Sequence, residues 1–282
     1  MMTAVELYLD LLKRNLTRCS FEDRYRLLSE PELSSCPANV REWMTERDLC
    51  LVKKFTFDPE LRMVGRDWPA EAETMIGVRR LDNLQQCVTT ALGDGVPGDL
   101  METGVWRGGA SIFMRALLAA HGDSSRVVWV ADSFQGLPQP DPDQFPEDGA
   151  DTPWGQLWRA PELSVSIDIV KANFERYGLL DKQVKFLPGW FRDTLPSAPV
   201  ERLAVLRLDG DLYESTIIAL RYLYPKVSSG GYVLIDDYGA IEACRKAVAD
   251  YRQEFEISEP IYQVDWTGVY WRVGEQSPNL SR

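Results

Sequence analysis

Two apolar runs in this chain end in acid. Leu203-Ala204-Val205-Leu206 leads into Leu208-Asp209-Gly210-Asp211, and Tyr232-Val233-Leu234-Ile235 leads into Asp236-Asp237. Between them, Glu214 to Val227 has helical periodicity and Ser228-Ser229-Gly230-Gly231 reads as a turn. A strand, a helix and a second strand in this order make a crossover between parallel strands, so both acidic ends fall at one C-terminal sheet edge. Open α/β sheets bind ligands at that edge. Four carboxylates there repel one another unless a cation sits among them. Oxygen donors without cysteine or histidine suit a hard ion, Mg²⁺. The competing reading is that Asp209 and Asp211 cap the helix and Asp236-Asp237 only start a loop.

Composition narrows the class. With 282 residues, 45% of them hydrophobic, the chain can build one large α/β domain with an appendage. A net charge of -12 argues against nucleic acid or an anionic membrane as partner, since both are bound by basic patches. No apolar run approaches the roughly 20 residues that span a bilayer. The N-terminus lacks a basic segment followed by an apolar one, so a soluble, cytoplasmic protein is expected. Cys19, Cys36, Cys50, Cys87 and Cys244 form no C-x-x-C pair, which fits reduced thiols. His121 is the only histidine, so a histidine-based triad is excluded.

In chain order, Val5, Tyr8, Leu9, Leu12 and Leu16 predict an amphipathic helix that docks on the main domain or a second subunit. Residues 30–68 read as an irregular cap of helix and loop. Val78 to Leu92 reads as a helix closed by Gly93-Asp94-Gly95. Asp99 to Gly104 is a short strand running into a glycine turn and a second helix, a place where a ligand approaches the backbone closely. The spacing there is not the G-x-G-x-x-G of nicotinamide sites. Val127 to Asp132 is a strand ending in an acid that can bind ribose hydroxyls. Residues 133–161, rich in proline and acid, read as a lid or insert, with Trp154, Leu157 and Trp158 either closing over a ligand or anchoring the loop. A helix at Val165 to Tyr177, a strand at Val184 to Leu187, a helix at Ala240 to Phe255 and a hairpin at Ile261 to Trp271 complete the pattern. The expectation is a doubly wound, mostly parallel sheet with an antiparallel C-terminal hairpin. Its domains are a helical appendage at 1–73, a Rossmann-like domain at 74–273 and a frayed tail at 274–282.

Six motifs in order carry a resemblance. They are Glu102-Thr103-Gly104-Val105-Trp106-Arg107-Gly108-Gly109, Asp132-Ser133-Phe134-Gln135-Gly136-Leu137-Pro138, Phe186-Leu187-Pro188-Gly189-Trp190-Phe191, Leu208 to Thr216, Gly231 to Tyr238, and Gly268 to Arg272. From about Thr74 to Arg272 the chain resembles the macrocin O-methyltransferase family, S-adenosylmethionine-dependent enzymes that methylate sugar hydroxyls of macrolides, aminocoumarins and related natural products. The resemblance implies a class I methyltransferase fold, a divalent metal and a deoxysugar acceptor. It implies that Glu102, Thr103, Gly104, Val105 and Trp106 line the methionine end of the cofactor, with Ser111 on the following helix also at the cofactor site. Asp132 would hold the ribose, with Ser133, Gln135 and Gly136 alongside. Gly189 and Trp190 would border the adenine, and Met75 and Ile76 would close from the appendage. Asp209, Asp236 and Asp237 would hold Mg²⁺, with Asp211 as general base. A homodimer is expected from the apolar N-terminal helix. A catechol-type methyltransferase would use the same metal logic on a phenolic diol. A noncatalytic S-adenosylmethionine-binding regulator would have no need of four convergent carboxylates.

Overall fold

The structure, a computed structural model, describes residues 2–21, 23–28, 30–69, 71–149 and 156–274. Helices α1 (Ala4–Leu16), α2 (Glu30–Ser34), α3 (Ala38–Thr45) and α4 (Pro59–Met63) and strands β1 (Asp23–Leu27) and β2 (Val52–Thr56) form the N-terminal part. Then follow α5 (Val78–Gly93), β3 (Asp99–Thr103), α6 (Gly109–Ala120), β4 (Val128–Asp132), α7 (Ile167–Arg176), β5 (Val184–Pro188), α8 (Phe191–Thr194), β6 (Leu203–Leu208), α9 (Tyr213–Leu223), β7 (Val227–Ile235), α10 (Glu242–Glu254), β8 (Tyr262–Gln263) and β9 (Val269–Arg272).

The seven-stranded sheet has the order β5-β4-β3-β6-β7-β9-β8. β3 to β7 run parallel, while β9 is antiparallel to β7 and β8 to β9. Strand order reverses between β3 and β6, so the crevice above their C-terminal ends is the place for a ligand. Side chains alternate across the sheet and feed two cores. Leu100, Val128, Val130 and Val205 pack with α1, α5, α6 and α7, whereas Met101, Leu206, Leu208 and Val233 pack with α9 and α10. The helical layers on both faces explain why β6 and the second half of β7 are apolar apart from Arg207.

Three expectations change. The turn expected at Ser228 to Gly231 is a bulge inside β7, where pairing jumps from Leu203–Val227 to Val205–Tyr232. Gly230 takes the left-handed φ of 81° that the bulge requires. The helix preceding it ends at Leu223, and a single 3₁₀ turn at Tyr224–Lys226 leads into the strand. In the N-terminal cap, β1 and β2 pair antiparallel from Asp23–Thr56 to Leu27–Val52.

On α1 the buried stripe is Leu9, Leu12 and Leu16, while Val5, Leu7, Tyr8 and Leu11 face outward. The expected lid contains 3₁₀ turns at Pro146–Asp148, Leu157–Arg159 and Pro161–Leu163; Trp154 and the tail from 275 lie outside the described residues. No helix among the described residues is long and apolar enough to cross a membrane.

Candidate active site

Backbone bonds align the strand ends. Gly104 N–H donates to Ala131, Asp209 N–H to Thr103 and Asp236 N–H to Leu208, each at 2.9 Å. The tips of β3, β4, β6 and β7 are thereby brought level. Gly104 (φ 79°) lies so close to β6 that a Cβ would fall 1.6 Å from the Asp209 carbonyl oxygen, so no larger residue fits at this crossing. Trp106, Phe134 and Asp211 also take left-handed backbone, at φ 46°, 56° and 58°. Three such residues in three strand-end turns mark a site where local strain is held by the surrounding fold.

Above these tips lies a cavity of about 510 Å³. Its floor and walls include Glu102, Gly104, Val105, Trp106, Asp132 and Gly136, and Met75 and Ile76 reach it from the appendage side. A side lobe shares Gly104, Asp132 and Gly136 with it and adds Ser133 and Trp190. Thr103, Ser111, Gln135 and Gly189 do not line either space. Thr103 and Ser111 are buried, and the Ser111 hydroxyl donates to Glu102 Oε2 from behind. Gln135 is exposed, and Gly189 N–H donates to the Asp132 carbonyl at 2.9 Å. Asp132 uses its carboxylate to hold both neighbouring turns, taking Val105 N–H on Oδ2 and Phe134 N–H on Oδ1, each at 2.7 Å.

The carboxylates divide into two groups. Oxygens of Asp209, Asp211 and Asp237 all lie within 4.8 Å of one another. Asp236 does not join them: its Oδ1 is paired with Arg207 and its Oδ2 with Arg80. The expected metal set was Asp209, Asp236 and Asp237; the trio whose oxygens converge is Asp209, Asp211 and Asp237. Both tandem aspartates line the cavity, but the two arginines engage Asp236 while Asp237 meets Asp209 and Asp211.

Arg207 Nη1 also donates to Glu102 Oε1 at 2.6 Å and to Asp209 Oδ2 at 2.8 Å, and Arg80 Nε to Asp265 Oδ2 at 3.1 Å. Four carboxylates, Glu102, Asp209, Asp236 and Asp265, thus share two guanidiniums, with Asp211 and Asp237 beside them. The deficit in positive charge falls on the trio. Burial, then its acidic neighbours Asp209 and Asp236, pushes Asp211 up to about 8; burial and Asp211 push Asp237 well above the carboxylate range. Asp209 is raised by burial and by Asp236, and Glu102 reaches about 7 chiefly through burial. Asp237 Oδ2 is buried with no hydrogen-bond partner among the described residues. A crowded oxygen trio with an orphaned acceptor fits a hard divalent cation.

A model of the macrocin O-methyltransferase (TylF) family matches residues 5–273. The chain belongs to the macrocin O-methyltransferase family. Among its relatives is 8-demethyl-8-(2,3-dimethoxy-alpha-L-rhamnosyl)-tetracenomycin-C 4'-O-methyltransferase of Streptomyces olivaceus, 54% identical over 273 residues, covering 95% of this chain and 93% of that one. Mycinamicin III 3''-O-methyltransferase of Micromonospora griseorubida is 49% identical over 270 residues, covering 96% and 97%. The solved structure of the O-methyltransferase NovP is 46% identical, with a TM-score of 0.82 over 96% of this chain and all of that one. This macrocin-type enzyme is an S-adenosylmethionine-dependent O-methyltransferase. The match starts in α1, so the family includes the appendage, which the six motifs did not reach.

Sequence reasoning missed the arginines of this methyltransferase. Arg207 interrupts an apolar strand, and a charge at such a position has to be paired, which was the available signal. Arg80 lies on the buried side of α5 and had no local cue. Asp148 was also missed. It is buried and accepts Tyr213 N–H at 2.6 Å and Glu214 N–H at 2.9 Å, capping α9 from the far side of the loop. Asp211, which would otherwise supply that cap, faces the acidic trio instead.

Proposed function

We propose that the enzyme transfers the methyl group of S-adenosylmethionine to a hydroxyl of a deoxysugar on a glycosylated natural product of macrolide or aminocoumarin type, in antibiotic biosynthesis, with Mg²⁺. The observation that carries this is the acidic trio with its orphaned Asp237 oxygen, set in the same cavity as the glycine turn after β3. Relatives named for a rhamnosyl tetracenomycin and for mycinamicin III support the acceptor class.

In this reading Asp209 and Asp237 hold the cation and Asp211 is the general base. A bound Mg²⁺ supplies Lewis-acid polarisation of a sugar hydroxyl and a template for two vicinal oxygens. Asp211, whose carboxylate lies against Asp209 and Asp237, is placed to accept the hydroxyl proton. Asp236 keeps the two arginines in place rather than touching the ion.

On the donor side, Asp132 retains lone pairs for ribose hydroxyls after taking two backbone N–H groups, with Ser133, Gln135 and Gly136 beside it. Gly104, Val105 and Trp106 shape the methionine end, with Thr103 buried behind them, and Ser111 orients Glu102 there. Trp190 borders the adenine, and Gly189 supports it from behind through its bond to the Asp132 carbonyl. Met75 and Ile76 close from above, their carbonyls held by buried Arg62 at 2.6 and 2.9 Å. Holding donor and acceptor in a near-attack arrangement contributes about 7–11 kcal/mol. A second copy covering Leu7 and Leu11 on α1 would make the enzyme a homodimer, with twice the chain mass in light scattering.

Methyl transfer from labelled S-adenosylmethionine to glycosylated macrolides and aminocoumarins, their aglycones and a catechol tests the reading. Product is expected on glycosylated acceptors alone, lost with EDTA and restored by Mg²⁺. Turnover of the aglycones or the catechol, or full activity in EDTA, would overturn it.

A further inference from the structure

Glu214 is the second residue of α9 and is only 3% exposed, yet it forms part of the wall of the side lobe, with Trp190, Phe191 and Ser215. Its Oε1 is paired with Arg192 Nε at 3.1 Å. Its Oε2 is buried and has no hydrogen-bond partner among the described residues. A carboxylate oxygen left in this state is costly unless a donor fills it. The lobe joins the main cavity at Gly104, Asp132 and Gly136, so a donor molecule whose ribose lies at Asp132 extends its base toward Trp190 and Glu214.

S-adenosylmethionine carries three kinds of hydrogen-bond donor. The ribose hydroxyls belong at Asp132 and the α-ammonium at the Glu102 end. The exocyclic amine of adenine remains, and it lies at the far edge of the base.

We infer that Glu214 reads the base of the methyl donor, its Oε2 accepting a hydrogen bond from the adenine amine while Arg192 holds Oε1. The assignment rests on the donor placement proposed above and concerns the same site. A buried acceptor of this kind selects an amine over a carbonyl oxygen, because a 6-oxo base brings acceptor against acceptor. Arg192, half-exposed at the rim, keeps the carboxylate from turning toward solvent.

Isothermal titration with S-adenosylhomocysteine and its deaminated analogue, S-inosylhomocysteine, tests this on the whole enzyme. The unsubstituted enzyme is expected to favour the adenosyl ligand by about ten- to a hundred-fold, the range of one hydrogen bond to a charged group. Glu214→Gln offers an amide N–H to the 6-oxo group, and the preference is expected to fall to about three-fold or less. Equal binding of both ligands by the unsubstituted enzyme, or a preference that survives in Glu214→Gln, overturns the role of Glu214 and leaves the donor site standing. Binding of neither ligand by the unsubstituted enzyme overturns the donor placement itself. If Glu214→Gln does not fold, N6,N6-dimethyl-S-adenosylhomocysteine decides on the unsubstituted enzyme: at least ten-fold weaker binding than the parent supports the assignment, and equal binding overturns it.

Discussion

Arg207 places a guanidinium in the middle of the sheet, and three strand tips supply its counter-charges: Glu102, Asp209 and Asp236. Removing one partner of such a buried set leaves charge uncompensated and costs about 3–5 kcal/mol. Asp236→Asn should therefore lower the thermal midpoint strongly, because Arg80 and Arg207 both lose a carboxylate. Asp237→Asn removes a carboxylate whose repulsion by Asp211, Asp209 and Asp236 outweighs its attraction to Arg80, so the same measurement should show an unchanged or higher midpoint in the metal-free protein. Equal losses for the two variants would mean that the tandem aspartates share one role. Asp211→Asn separates base from ligand: Mn²⁺ binding is expected to survive while kcat falls at least about a hundred-fold, within the range for a general base. If Mn²⁺ binding is lost as well, Asp211 is a ligand. Which tandem aspartate joins the trio was not legible in the sequence, since both line the cavity and the arginines that engage Asp236 come from α5 and β6.

Helix α9 begins at the end of the Asp209-Gly210-Asp211 turn without a capping side chain of its own. Its first N–H groups go to Asp148, which ties the loop after β4 to the turn that carries Asp211. Phe145 against Tyr213, at 6.1 Å between ring centroids, adds a second tether. Asp148→Ala should cost about 0.5–2 kcal/mol in urea unfolding, the usual value of a cap. Loss of less than a few tenths of that would show the loop to be undocked. The parallel strands and the helices of the core were legible because periodicity and glycine punctuation agree there. The bulge in β7 was read as a turn because Ser-Ser-Gly-Gly has the same local chemistry in both settings, and only pairing with β6 decides between them. Strands β1 and β2 join segments more than twenty residues apart, a non-local pairing that no short pattern reports.

Across the whole molecule, the acidic edge links folding to pH and to cations. Asp211 titrates near 8 in the folded chain against an ordinary value of 3.8. Its folded pKa is raised, so its contribution to stability is complete below about 3.8 and is lost progressively as pH rises toward and through 8. Asp209 and Asp237 shift in the same direction. The metal-free thermal midpoint should fall between pH 6 and pH 8.5, and Mg²⁺ should raise it more at the higher pH, where the carboxylates are free to bind. A cation effect independent of pH would separate the ion from these groups. The parallel sheet, its C-terminal edge and four of the carboxylates there could be read from sequence because two strands end in acid. The two arginines that sort those carboxylates could not, since their partners come from elements far apart in the chain. The central claim is that Asp209 and Asp237 hold one divalent ion at the switch point of the sheet. Mn²⁺ titration followed by electron paramagnetic resonance measures this directly: one ion per chain is predicted for the unsubstituted enzyme and none for Asp209→Ala or Asp237→Ala, while no bound ion, or undiminished binding by both variants, would contradict it.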